Sequence, residues 1–353
     1  MEEARKPKVW LVTGVTGCGR IEMLNEFSKH AEQNGKRVKV IDIGENIQKK
    51  AKENHIAFVL SRILNLDHTT LSLLRALAVQ SISHEISSDE ESDIIFIGMH
   101  ALFFWKNRLI PGVSFSDLSS IKIDGIITVV DDVATVYQAN KKNPKWAEQG
   151  IPSPAALQRW MMEEELLSDV FSSIMGVQMF VLAKTQPVAN LYNFFFGKDK
   201  KRIYLSYPIT AIRENQELTN RIQNKYKTEI EKLFYVFNPL DIKDKTHVSQ
   251  EKDDIDGFLD DENKALIDAR TIDRDYRFIS QSDAVVVIYP TEKLSPGVAS
   301  EMNYAYSHQI PIYMFFQGNI SPFLAEIATI FQKEEDFMKA LTEFAKPNTY
   351  SSD

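Results

Sequence analysis

KVWLVTGVTGCGRIEMLNEFSKHAEQNG, residues 8–35, reads as a strand, a loop and a helix in succession. The apolar run Lys8–Thr13 stops at a glycine-rich turn, and the segment after it keeps helical spacing until Gly35 closes it. A buried strand followed by a helix is half of a parallel βαβ unit, so more buried strands should recur at helix-length intervals. Val38–Ile43 (VKVIDI), Ile94–Gly98 (IIFIG) and Ile126–Val130 (IITVV) are such strands, short and apolar on both faces. The first domain is therefore read as doubly wound α/β. Pro152–Met175 reads as the helix that closes it, with Ser153 as cap before Pro154. Its apolar face is expected to run through Leu157, Trp160, Met161, Leu166 and Val170.

A second series follows. The polar stretch Gly197–Arg202 (GKDKKR) reads as a linker, and Lys198, Lys200, Lys201 and Arg202 as its solvated charges. The expected division is 1–198 and 199–353, and 353 residues are what two domains of about 150 each would need. Ile203–Ser206, FYVFNP, Ala284–Tyr289 and Pro311–Phe316 read as strands. Ile212–Leu233, Ile267–Gln281 and Val298–His308 read as the helices between them. The acidic stretch Lys252–Glu262 (KDDIDGFLDDE) is too charged to bury and reads as a surface loop over a site.

Composition narrows the function classes. With 44% hydrophobic and 25% charged residues the chain should fold. No apolar run reaches the roughly 18 residues of a membrane span, and no signal-peptide pattern opens the sequence, so the expectation is cytoplasmic. A net charge of −8 gives no reason to expect long nucleic acids as partners, which leaves small molecules. The single cysteine, Cys18, excludes an intramolecular disulfide and any paired-cysteine zinc site, and no metal is expected.

The loop Gly14–Ile21 (GVTGCGRI) sits where a P-loop cradles phosphates with backbone N–H groups at a helix N-terminus. Gly14, Gly17, Gly19 and Arg20 are the candidate nucleotide-binding residues. The full pattern has a Lys for the β/γ-phosphates and a hydroxyl for Mg²⁺; here Arg20 and Ile21 stand there, and Ile21 cannot ligate a metal. With VIDIGENI, IIFIGMHALFFWKNRLIPG around His100 and DGIITVVDDVATVY, this half resembles the archaeal type of adenylate kinase and related P-loop nucleotide kinases. That family carries an Asp near the end of the strand before the histidine, where this chain has Gly98 and Met99. The resemblance thus implies a pseudo-kinase fold that binds an ATP- or ADP-like nucleotide without turnover. A tight turn with no ligand, and an active kinase, are the alternatives, and His100 and Cys18 are read as structural.

Toward the C-terminus, Asp275-YRFISQSD-AVVVIY followed by SPGVASEMNYA (Ser295–Ala305), with Tyr204 on the first strand, resembles the nucleoside 2-deoxyribosyltransferase family over residues 202–316. The resemblance implies a flavodoxin-like or Rossmann-like sheet. It also implies Glu301 as a nucleophile that traps the oxocarbenium-like sugar as an ester, which needs no cofactor. Asp275 would protonate the base or orient the acceptor, and Tyr204 would hold the nucleophile. Ser206, Ser295, Gly297 and Ser300 are the implied substrate contacts, the loop at 295–300 suiting a 5′-hydroxyl or 5′-phosphate at a helix N-terminus. SPGVASE, with Ser295 before the glycine, resembles the branch that hydrolyses deoxynucleoside 5′-monophosphates, since an acidic residue there would repel phosphate. Tyr207, Pro208 and Ile209 depart from that branch's glycine-rich pattern and imply a different base or sugar pocket. Family members assemble as homo-oligomers, which is the expectation here. A non-catalytic nucleotide sensor is the competing class. Asp283 is read as a structural cap, Asp273, Arg274 and Arg277 as surface charges, and Tyr304 and Tyr306 as packing.

Overall fold

A computed structural model of the chain describes residues 6–58, 60–146, 150–197, 200–209, 215–242, 261–291 and 295–347. Lys198, residues 212–214 at the start of the expected helix, and 252–260 of the acidic stretch lie outside the described residues. The chain packs as two units, Met1–Thr185 with Ile242–Arg270, and Gln186–Asp241 with Thr271–Asp353.

In the first unit the strands are β1 (Lys8–Thr13), β2 (Val38–Asp42), β3 (Ile94–Gly98), β6 (Gly125–Val130) and β7 (Met179–Ala183), all parallel in the order β2-β3-β1-β6-β7. Every residue of β3, β6 and β7 is buried, as expected of strands covered on both faces. The helices are α1 (Arg20–Gln33), α2 (Ile43–Glu53), α3 (His68–Ser87), α4 (Phe115–Leu118), α5 (Val133–Lys141) and α6 (Pro154–Met175). A hairpin of β4 (Leu102–Trp105) and β5 (Arg108–Pro111), absent from the sequence reading, turns at Lys106 and Asn107, both with positive φ.

Helix α6 corrects the expected apolar face. Ser153 does cap it, accepting from Ala156 N at 3.2 Å, and Leu157, Trp160 and Met161 are buried. Leu166 and Val170, however, are 61% and 42% exposed, whereas Glu164 and Ser168 are buried. The inward face is set by polar partners: Ser168 shares hydrogen bonds of 2.8 Å with Thr13 of β1 and with the Glu164 carbonyl, and Thr13 bonds Thr128 of β6 at 2.8 Å.

The second unit's strands are β8 (Arg202–Ser206), β9 (Tyr235–Phe237), β10 (Ala284–Tyr289), β11 (Ile312–Phe316) and β12 (Thr329–Phe331). All pair in parallel, in the order β12-β11-β10-β8-β9. Counted within this unit that is the flavodoxin-like 2-1-3-4-5, whose order reverses between β8 and β10. Its helices are α7 (Val188–Phe196), α8 (Gln216–Asn220), α9 (Lys227–Leu233), the Thr271–Ser280 part of α10 (Asp261–Ser280), α11 (Pro296–Ser307), α12 (Pro322–Ile327) and α13 (Glu334–Ala345). A π-helical turn, Arg221–Tyr226, joins α8 to α9. The sequence reading divides the chain at 198, whereas α7 packs in the second unit: the Asn190 side-chain amide donates to Val236 O (2.9 Å) and accepts from Val236 N (3.2 Å). That reciprocal pair satisfies the backbone of β9, an edge strand.

Candidate functional site

Side chains alternate across a strand, so Tyr204 and Ser206 of β8 share one face, while Ile203 and Leu205 enter the core on the other. The Tyr204 hydroxyl donates to Glu301 Oε1 at 3.0 Å and the Ser206 hydroxyl to Glu301 Oε2 at 2.5 Å. Each carboxylate oxygen thus has its own donor, which fixes the plane of the carboxyl. Glu301 lies in the second turn of α11, beyond the first turn in which a helix dipole acts appreciably on charge, so complementing the dipole does not account for it. Burial pushes the Glu301 carboxyl up to about 7; the Ser206 bond opposes, the Asp275 charge adds, and the Tyr204 bond and the Arg274 charge oppose. Burial, followed by the Asp275 and Glu301 charges, holds the Tyr204 phenol well above its ordinary range, so it serves as a donor. Asp275 on α10 is bound by its neighbour Arg274, whose Nε and Nη2 donate to Oδ1 at 3.2 and 2.9 Å.

The remaining expected contacts have mixed placements. Ser295 caps α11, its Oγ accepting from Val298 N, and its own N–H donates to the Tyr289 hydroxyl at 2.8 Å. Among the described residues nothing lies within 4 Å of where a side chain at Gly297 would start, so a ligand can approach the backbone there. Ser300 is exposed, with its hydroxyl 2.6 Å from the Tyr276 hydroxyl. Tyr207 does not face Glu301: strand period 2 places it with Ile203 and Leu205, and its hydroxyl donates to Asn238 Oδ1 at 2.7 Å. Asp283 ties the start of β8, accepting from Arg202 N at 2.6 Å. Arg274, read as a surface charge, is 6% exposed.

In the first unit, Gly14, Gly17 and Gly19 all have positive φ, and Gly19 is the left-handed residue immediately before α1. Here the glycines are conformationally required. Arg20 is buried: it donates to Gly14 O at 2.7 Å, lies 3.3 Å from His100 Nδ1 and 4.0 Å from Asp42. Burial and then the Arg20 charge hold the His100 imidazole well below its ordinary range. A side chain at Gly98 would meet Ile21 Cδ1 at 2.7 Å, so an apolar group fills the space beside the strand end. The loop, Arg75, Phe103, Trp146 and Lys184 line a cleft of about 690 Å³. Cys18 is buried, which pushes its thiol up to about 11 and keeps it from being a thiolate.

One residue that the sequence reading does not single out organises this loop. Glu164, 1% exposed, accepts from Gly14 N (2.9 Å), Ala101 N (2.8 Å) and Leu102 N (2.7 Å), so one carboxyl ties α6 to the end of β1 and the start of β4. Glu164→Ala strands three N–H donors, two of them buried and that of Leu102 partly so, and is expected to cost about 3 kcal/mol of stability. Chemical denaturation of the intact chain checks this, and a loss under about 1 kcal/mol would mean the loop does not depend on Glu164.

Comparison with known proteins bears on the second unit. Residues 203–326 match the family model of nucleoside 2-deoxyribosyltransferase. This part of the chain resembles that family, and Tyr204, Ser206, Asp275, Ser295 and Glu301 all fall within the match. Among solved structures, a shikimate kinase from Bacteroides thetaiotaomicron is 12% identical with a TM-score of 0.34, covering 53% of this chain and 97% of its own. A shikimate kinase from Acinetobacter baumannii in complex with shikimate is 9% identical with a TM-score of 0.35, covering 54% and 93%. A conserved protein from Enterococcus faecalis V583 is 19% identical with a TM-score of 0.25, covering 41% and 99%. No curated protein matches the chain. Among the described residues no helix is long and apolar enough to cross a membrane.

The deoxyribosyltransferase-like unit holds its candidate site at the C-terminal end of β8, beside β10, which is where the strand order reverses. Ligands of open α/β sheets bind at such a point.

Proposed function

We propose that the second unit cleaves the N-glycosidic bond of a nucleoside or nucleoside 5′-monophosphate, with Glu301 as nucleophile. The observation that carries the reading is the Glu301 carboxyl, one oxygen on the Tyr204 hydroxyl and the other on the Ser206 hydroxyl. A carboxylate oxygen attacks the anomeric carbon as the bond to the base breaks, the bonding pair leaves with the base, and the base takes up a proton. Water then attacks the anomeric carbon of the ester and returns the carboxylate, so the sum is nucleotide plus water giving free base and sugar phosphate; a second base in place of water gives transfer. Ser295, Gly297 and the N-terminus of α11 suit the 5′-phosphate, and a homo-oligomer is the expected assembly.

The first unit, in the same reading, binds a nucleotide and transfers no phosphoryl group. Ile21 packs beside Gly98 where the resemblance would put a hydroxyl and a carboxylate for Mg²⁺. Arg75, buried and with no partner for Nε and Nη2 among the described residues, offers donors to an anion in the cleft.

The test is free base measured chromatographically after incubation with a panel of nucleosides and nucleoside 5′-monophosphates, with Glu301→Ala as control. Base from at least one panel member, and none from the variant, is the expected result. Calorimetric binding without any base released would make the protein a sensor and overturn the enzymatic reading.

A further inference from the structure

We infer that Arg274 is a positioning residue of the Glu301 site: it holds Asp275 as an ionised acceptor and supplies the positive charge that lets two carboxylates share one partly buried place. Its mechanistic consequence rests on the reading above; its electrostatic content does not.

Neighbouring residues on a helix point about 100° apart and do not face each other, so an i,i+1 ion pair adds nothing to an ordinary helix. Arg274 and Asp275 are such neighbours, yet the arginine bends back to place both Nε and Nη2 on Asp275 Oδ1, at 3.2 and 2.9 Å. The two side chains are only 7% and 16% exposed. Ordering and burying an arginine costs side-chain entropy and hydration, and a surface pair returns too little to offset that. A buried charge is kept where another buried charge needs it. Among the described residues, the groups that act on Glu301 include Tyr204 and Ser206 from β8 and Asp275 and Arg274 from α10, and Arg274 is the cation of these four.

The charge count shows what it does. Counting Glu301 and these four described groups alone, with Glu301 and Asp275 both ionised, they carry −2 without Arg274 and −1 with it. Two carboxylates at one low-dielectric place cannot both stay ionised unaided, and one holds a proton. Glu301 has to be ionised to attack, so in the absence of the guanidinium the repulsion would fall on the nucleophile. As the partner of a guanidinium, Asp275 accepts hydrogen bonds rather than donating a proton. It therefore orients a sugar hydroxyl or an amino group of the base, and the leaving base draws its proton from elsewhere.

The test is the titration midpoint of the Glu301 carboxyl in the full chain, followed by carbon-13 NMR of protein labelled at glutamate Cδ, with Glu301→Gln to assign the signal. Arg274→Met is expected to raise the midpoint by about one pH unit, a roughly fivefold loss of ionised Glu301 at neutral pH, and Arg274→Lys to restore most of it. Asp275→Asn, which keeps the arginine, is expected to lower the midpoint, and it reports even if Arg274→Met fails to fold. A midpoint unmoved by Arg274→Met, moved equally by Met and Lys, or not lowered by Asp275→Asn overturns the inference. Base release separates the two readings. If wild-type protein releases no base while the midpoint follows Arg274, the glycosidic reading falls and the electrostatic one stands. If base is released and the midpoint ignores Arg274, the reverse holds.

Discussion

Glu301→Gln is expected to abolish base release, by at least about 10³-fold in kcat, while leaving the fold and nucleotide binding in place. The amide keeps the shape of the side chain, and its oxygen can still accept one of the two hydroxyls that hold the carboxyl, Tyr204 at 3.0 Å or Ser206 at 2.5 Å. It has no anionic oxygen to form a bond to the anomeric carbon. The lost factor corresponds to about 4 kcal/mol of transition-state stabilisation, which no repositioned water recovers in one step. The variant should not be less stable above neutral pH. The folded protein holds the Glu301 proton more tightly than the unfolded chain does, so the wild-type contribution is full below the ordinary glutamate range of about 4.5 and is lost as pH rises through about 7. Glutamine carries no such loss. In acid-quenched wild-type protein, mass spectrometry should find a sugar ester on the Glu301 peptide. A variant retaining more than about a tenth of wild-type kcat would place the nucleophile elsewhere, because removing a true covalent nucleophile costs orders of magnitude more.

Much of this site is legible from residue order, and the limits have physical causes. The parallel strands announce themselves because burial on both faces demands continuous apolar runs such as AVVVIY. Period 2 then places Tyr204 and Ser206 together without further information, and by the same rule sends Tyr207 to the opposite face, where the sequence reading had it altering the pocket. Helix α6 is harder. A purely apolar face predicts Leu166 and Val170 inward, but hydrogen bonds from the loop and strands draw Glu164 and Ser168 in instead, and hydropathy carries no sign of that. Arg274 fails for the same reason, since a charged residue on a polar helix looks solvated until its partner and depth are known. The β4–β5 hairpin escapes because its turn, Lys106-Asn107, takes positive φ without a glycine. The three-residue edge strand β12 is too short to show a period.

The second large effect is on pH dependence: the rate of base release is expected to fall about 100-fold between a plateau above pH 8 and pH 5. Only ionised Glu301 can attack, and its midpoint near 7 makes the rate drop roughly tenfold per pH unit below it. An ordinary glutamate would give the same limb more than two units lower, so the position of the limb reads the environment directly. Burial raises it, and the two hydroxyl donors lower it by stabilising the charged form. Ser206→Ala, which removes the larger of the two hydrogen-bond effects, is therefore expected to move the limb upward, and Tyr204→Phe to do so less. A 5′-phosphate itself titrates near pH 6. The profile should be measured as kcat/KM on both a nucleoside and its monophosphate, because a limb set by Glu301 appears with both and one set by the substrate only with the second. A limb near 4.5 on the nucleoside, or one that ignores Ser206→Ala, would mean that the ionisation controlling the rate is not that of a buried carboxyl held between these two hydroxyls.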